Sequence, residues 1–256
     1  MKRKIDLNAD MGEGFGRWSI GDDSALLEHI TSANIACGLH AGDPDVMAKT
    51  MRAALNKGVN LGAHPGFPDL QGFGRRRMKL PESSLRNMIR YQLGAADAMA
   101  RAEGGRLRHF KLHGALSNMA SEDTALARAC YETALDFDPD LVILILPLTA
   151  MEEAMQALGG NWAGEIFADR AYNEDATLVD RSQPGAMIHD PVEAAANMVS
   201  MVREQAIICA SGKRLPCRID TICVHGDTPE SLEIARTVRA RLQAEGNEVR
   251  PLLPDR

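Results

Sequence analysis

Aromatic residues make up only 4% of this 256-residue chain, and the signatures that would assign it quickly are missing. There is no GxxxxGK[ST] phosphate loop. Residues 12–16 are rich in glycine but neither fit GxGxxG nor open a βαβ unit, so nucleotide binding does not follow from motifs. HExxH is absent, so any metal would need ligands gathered from separate strands; whether one is bound stays open. The five cysteines (37, 130, 209, 217 and 223) are an odd number without CxxC spacing, which argues against a disulfide framework or a structural zinc site.

Positive charge is also short. A net charge of −6 argues against a nucleic-acid surface, which needs clustered Lys and Arg. The one basic run, Arg75-Arg76-Arg77, reads as a solvated loop, with a phosphate or partner contact as the alternative. The longest apolar run, residues 141–146, is far short of the roughly 20 residues of a membrane span and reads as a buried strand. Lys2-Arg3-Lys4 has the charge of an export signal, but Asp6, Asn8 and Asp10 interrupt any apolar segment behind it. No export signal and no membrane contact are expected, and a reducing cytoplasm is the expected location.

What is present is a repeated pattern. Short apolar stretches near residues 4–9, 32–37, 60–63, 109–112, 141–146, 165–168 and 221–224 read as strands, and most are separated by helical periodicity. The clearest helix spans 83–102, with Leu85, Met88, Ile89, Leu93, Ala96 and Met99 on one stripe. Asp43-Pro44 reads as an N-cap and first helical position with Gly58 as the stop, and Thr228-Pro229 with Gly246 as the same device. Alternating strands and helices imply parallel pairing, in a barrel or an open doubly wound sheet. Polar packets end nearly every strand, which favours a single α/β domain over 1–256, a distorted parallel (β/α) barrel of about seven strands.

Those packets carry the candidate chemistry. Asp6, Asn8 and Asp10 alternate along the first strand, with Asp10 nearest the mouth. One of the acids suits a base or metal ligand, and Asp6 equally suits a structural role. His40, His64, His113 and His225 follow four different strands and can relay protons or bind metal within one cleft. Lys111 lies two residues before His113, so both should face the same side. A lysine there needs an anionic partner or a reactive carbonyl. Asp169-Arg170 reads as an ion pair or a substrate contact, Asp227 as a capping or loop acid, and Cys37 as a small buried thiol or a nucleophile.

Taken together, residues 5–16, 32–38, 40–43, 62–66, 69–76, 113–116, 167–172 and 220–227 resemble the LamB/YcsF family, whose members look like the A component of a bacterial ATP-dependent 5-oxoprolinase. Leu39, Leu112, Ser117 and Ala176 stand where the family pattern has Phe, Pro, Tyr and Gly. The resemblance implies a barrel similar to glycoside hydrolase and sugar deacetylase barrels, opening of 5-oxo-L-proline to L-glutamate with ATP and Mg²⁺ as co-substrate, and partner subunits B and C. It implies Asp10 or His64 as base, with Lys111 and His113 stabilising charge. Asn8, Glu13, His40, Asp169, Arg170, His225 and Asp227 would contact substrate, Arg170 through its carboxylate. Replacing Lys111 by Met should abolish turnover and leave the fold intact. Alternative readings are a metal-dependent amide or sugar deacetylase and a non-catalytic subunit that presents substrate.

Overall fold

In the first strand every second residue is apolar, and Ile5, Leu7, Ala9 and Met11 are all fully buried, yet so are the polar residues between them. A strand polar on one face and buried on both needs a polar interior, and a closed barrel supplies it. The computed structural model describes residues 2–225 and 230–252. Its strands are β1 (Lys4–Met11), β2 (Ser32–Ala36), β3 (Asn60–His64), β4 (Leu107–Phe110), β5 (Val142–Ile145), β6 (Trp162–Phe167), β7 (Ala206–Ile208), β8 (Arg214–Pro216), β9 (Thr221–Val224) and β10 (Glu248–Val249). The sheet runs β1-β2-β3-β4-β5-β6-β9, all parallel, and β9 pairs back onto β1 to close seven strands into a barrel. β10 adds to the start of β1, and β7–β8 is a separate antiparallel hairpin.

The helices surround this barrel: α1 (Asp23–Leu26), α2 (Pro44–Asn56), α3 (Glu82–Ala102), α4 (Gly114–Glu122), α5 (Thr124–Phe137), α6 (Ala150–Leu158), α7 (Pro191–Glu204) and α8 (Ser231–Ala244). α2 starts as its sequence predicts. The Asp43 carboxylate accepts from the Asp45 and Val46 amides, Pro44 takes the first turn, and Gly58 follows the last turn at φ +68°. α3 buries Leu85, Met88, Ile89, Leu93 and Ala96 of the expected stripe, with Gln92 beside them, while at its end Ala100 is buried and Met99 only partly so. The start expected at Thr228-Pro229 lies outside the described residues, and α8 is described from Ser231.

Several strand limits differ from expectation. β4 ends at Phe110, not residue 112, because the chain leaves regular pairing there. It stays tied, with the Lys111 amide donating to Ala63 O at 3.0 Å and the His113 amide to Pro65 O at 2.9 Å. β6 begins three residues earlier than expected, at Trp162, which places Glu165 inside it.

Inside the barrel the polar side chains bond one another in tiers. Asp6 accepts from the hydroxyls of Thr31, Ser32 and Thr221, a buried structural node and not a base. Above it the Asn8 amide donates to Thr221 Oγ1 at 2.8 Å, and Asn34 Nδ2 donates to Asn8 Oδ1 at 2.7 Å and to Asp10 Oδ1 at 2.8 Å. Each bond satisfies a group that would otherwise cost about 1–3 kcal/mol to bury unpaired.

Candidate active site

The uppermost tier opens into a cavity of ≈ 440 Å³ at the ends of the strands, where barrel enzymes carry their chemistry. Asp10, Glu13, His64, Lys111, His113, Arg170 and His225 all line it. The other expected residues stand elsewhere. Asn8 is fully buried beneath the floor, His40 lies behind His113 with the two rings stacked at 3.7 Å, and Asp169 is buried behind His225. Asp227 is outside the described residues.

Lys111 sits at the centre. Its Nζ donates to Asp10 Oδ1 and to Cys223 Sγ, each at 3.0 Å, and lies 3.0 Å from Glu165 Oε1. Burial opposes its charge, but Asp10, then the Cys223 sulfur and Glu165, outweigh burial and raise its pKa well above the ordinary lysine value. It is therefore a fixed ammonium, suited to stabilising negative charge and not to attacking a carbonyl. Burial likewise pushes Asp10 up, but the charges of His64 and Lys111 win and hold its carboxyl well below the usual range. Asp10 Oδ2 also lies 3.3 Å from His64 Nε2.

Three imidazoles, those of His40, His109 and His113, are held neutral. Burial, followed by the neighbouring histidines, lowers His40 and His113 well below the usual histidine range, and burial with Lys111 brings His109 to about 3. His109 and His113 form an i, i+4 histidine pair that would be a zinc signature on a helix; here it runs out of a strand. His109 Nε2 instead meets Asn34 Oδ1 at 2.8 Å, deep in the barrel. Asp169 pairs with His225 Nδ1 at 2.9 Å and not with Arg170, whose guanidinium donates to Val179 O at 2.7 Å. Burial and nearby Arg181 bring Arg170 down to about 10, so it remains a cation facing the cavity.

Arg75, Arg77 and Arg181 stand at the cavity wall with Arg170. The basic run is thus divided: Arg76 pairs with Asp69, Arg77 with Glu122, and Arg75 lies over Phe73 at 4.9 Å. Ser117 also lines the cavity. Ala176 has φ +67°, the left-handed conformation that glycine adopts without strain. Cys37 is buried and burial pushes its thiol up to about 12, as it does for Cys130. At pH 8 only about one in 10⁴ such thiols is ionised. We expect iodoacetamide to leave both unmodified in the folded chain and to label both in denaturant; rapid native labelling of Cys37 in a peptide map would refute its burial.

Glu165, Asn34, His109 and Cys223 complete the site. Their signal in the sequence is alternation: Glu165 lies two residues before Phe167, Asn34 two after Ser32, His109 two before Lys111, and Cys223 two before His225.

The fold and site define a closed parallel (β/α) barrel with a buried acid, histidine and lysine constellation at its mouth. The chain belongs to the LamB/YcsF family, whose model matches residues 5–255. It is 64% identical over 246 residues to a protein of Ruegeria pomeroyi named as the A component of 5-oxoprolinase, covering 96% of this chain and 97% of that one. Among solved structures it resembles a lactam utilization protein from Thermus thermophilus, with TM-score 0.91, 43% identity and coverage of 96% and 99%. A peptidoglycan N-acetylglucosamine deacetylase domain from Eubacterium rectale, at 12% identity and TM-score 0.53 over 99% of this chain and 90% of that one, shares the fold. No helix among the described residues is long and apolar enough to cross a membrane.

Proposed function

We propose that this chain is the A component of an ATP-dependent 5-oxoprolinase and works with two partner subunits, B and C, to open 5-oxo-L-proline to L-glutamate. The observation that carries the reading is Lys111, a buried ammonium clamped beside Asp10 at the floor of the cavity, in a chain 64% identical to a protein of that name. The amine and γ-carboxylate of glutamate sit on one short chain, so effective molarity favours the ring and opening needs a drive.

Phosphorylation of the lactam oxygen by ATP supplies that drive, releasing ADP and the ring N–H proton. Water then adds to the imidate carbon, the C–N bond breaks as nitrogen takes up a proton, and a second water hydrolyses the resulting acyl phosphate to glutamate and phosphate. Lys111 stabilises charge on the oxygen, while His113, its N–H held by the Phe73 carbonyl, positions His64. The Asp10–His64 pair accepts the proton of the attacking water. Arg170 holds the substrate carboxylate, and Glu13 and His225 line the pocket. Arg75, Arg77 and Arg181 give the wall the positive charge that a transferred phosphoryl group requires.

The test is glutamate release from 5-oxoproline by the purified chain mixed with its partner subunits. Release should require ATP, Mg²⁺ and this chain together. Deacetylation of an acetylated sugar without ATP, or undiminished lactam opening when this chain is omitted, would overturn the reading.

A further inference from the structure

Two of the cavity's histidines face each other with the wrong atoms. His64 Nδ1 lies 2.9 Å from the Lys111 carbonyl oxygen, which can only accept, so Nδ1 carries the hydrogen and Nε2 the lone pair. His113 Nε2 lies 2.8 Å from the Phe73 carbonyl oxygen, so here Nδ1 carries the lone pair. His64 Nε2 and His113 Nδ1 are 3.0 Å apart. In neutral rings these are two acceptors in contact. The nearby carboxylates add acceptors and no donor, with Asp10 Oδ2 3.3 Å from the first nitrogen and Glu13 Oε1 3.9 Å from the second, so the contact calls for a proton or a cation between the rings. Beside them His40 is fully buried, and neither of its ring nitrogens has a hydrogen-bond partner.

A proton shared between His64 and His113 would relieve one contact and leave His40 unsatisfied. A metal ion would engage all three rings. We propose that Glu13, His40, His64 and His113 bind a divalent cation of the zinc type. Their ligand atoms all lie within 4.8 Å of one another. Two nitrogens bound tetrahedrally to zinc at about 2.0–2.1 Å stand about 3.3 Å apart, close to the separation of the facing pair. His40 lies flat on His113, so it ligates by turning its ring, which no hydrogen bond opposes.

The surroundings fit this use. Ligating histidines commonly donate their outer N–H to a carbonyl, which fixes the inner nitrogen toward the metal, and His64 and His113 both do so. The carbonyl that orients His113 belongs to Phe73, a non-glycine residue at φ +54°, a conformation costing on the order of 1–3 kcal/mol that tends to persist where function requires it. Gly66 and Gly74 admit the rings: a Cβ at Gly66 would fall 2.7 Å from His40 Nδ1, and one at Gly74 would fall 2.8 Å from His113 Cδ2. Three imidazoles and one carboxylate do not suit Mg²⁺, which takes oxygen ligands, so the site is distinct from the Mg²⁺ that travels with ATP. A bound ion of this type would polarise a carbonyl or acidify a water. With His64 Nε2 engaged, Asp10 is the acceptor left facing the cavity. That link to turnover rests on the lactam reading; the binding itself does not.

The experiment is a titration of the full-length, chelator-stripped chain with Co²⁺ alone. We expect uptake of one ion per chain, a visible absorption band of four-coordinate intensity, and its displacement by Zn²⁺. His40→Ala and His113→Ala should each weaken binding by more than about 10–100-fold, the range typical of losing an outer partner. His225→Ala should leave the band in place. Absence of Co²⁺ and Zn²⁺ uptake by the folded wild-type chain, with nitrogen NMR showing a proton shared between His64 and His113, would overturn the proposal. So would a band lost in His225→Ala and Cys223→Ser but kept in His113→Ala, which would put the ion in the neighbouring group of Asp10, Cys223 and His225. The wild-type titration decides even if a variant misfolds. No substrate, nucleotide or partner is present, so failure here leaves the lactam reading standing, and cobalt binding without glutamate release would leave the cation site standing.

Discussion

Lys111→Met abolishes ATP-dependent glutamate release and also lowers the stability of the chain by about 3–5 kcal/mol, the usual cost of breaking a buried ion pair from one side. The fold itself is expected to stay intact, at lower stability. The ammonium lies 3.0 Å from both Asp10 and Glu165, and all three side chains are almost wholly buried. Removing it leaves two largely buried carboxylates without their cation, and methionine offers them nothing. Urea denaturation followed by circular dichroism should show a lower midpoint with an unchanged slope, the mark of lost stability without lost compactness. Adding Glu165→Gln to Lys111→Met removes one stranded charge and should recover part of that loss, while turnover stays absent. Near-normal release by Lys111→Met would take the lysine out of the mechanism. A double variant no more stable than the single one would refute the ion-pair account of the stability loss.

The barrel was legible because its period was legible. Alternating strands and helices, the Asp43-Pro44 start and the stripe of α3 all rest on local chemistry, and the structure reproduces them. The same start occurs at α7, where Asp190 caps and Pro191 takes the first turn. Strand ends were less legible, since nothing local distinguishes the last paired residue of β4 from the extended segment behind it.

The site divides in the same way. Asp10, Glu13, His64, Lys111, His113, Arg170 and His225 converge because strand ends in a barrel share one mouth. Glu165, Asn34, His109 and Cys223 are harder to foresee, as their roles depend on which residue lies across the barrel. Cys223 illustrates the point: in sequence it is an ordinary strand cysteine, and only closure of β9 beside β1 and β6 brings its sulfur to Lys111. Of the two readings offered for Asp169-Arg170, the ion pair does not form, and Arg170 instead lines the cavity. The chain turns at Asp169, just past the end of β6, and the carboxylate meets His225 from the end of β9 while the Arg170 guanidinium reaches Val179 O.

That dependence on cross-barrel packing makes Gly62→Ala the second large effect. Alanine is the smallest change available, and on a surface strand it would be harmless or mildly stabilising. Here a Cβ at residue 62 would fall 2.1 Å from both Cδ2 and Nε2 of His109, a buried ring that cannot swing aside without surrendering its bond to Asn34. Overpacking of this kind costs about 1–3 kcal/mol, which lowers the melting temperature by about 2–4 °C per kcal/mol in a chain of this size. Activity should fall further than stability, because Asn34 also holds Asp10 through its amide at 2.8 Å. A displaced Asn34 lets the carboxylate rotate away from Lys111 and His64, and a small misplacement of reacting groups is costly in rate. His109→Ala added to Gly62→Ala makes room for the new methyl and should return part of the lost melting temperature, although Asn34 Oδ1 then lacks its donor and turnover stays low. If the two substitutions instead destabilise additively, the clash with His109 is not the cause, and Gly62 must be required for its backbone alone.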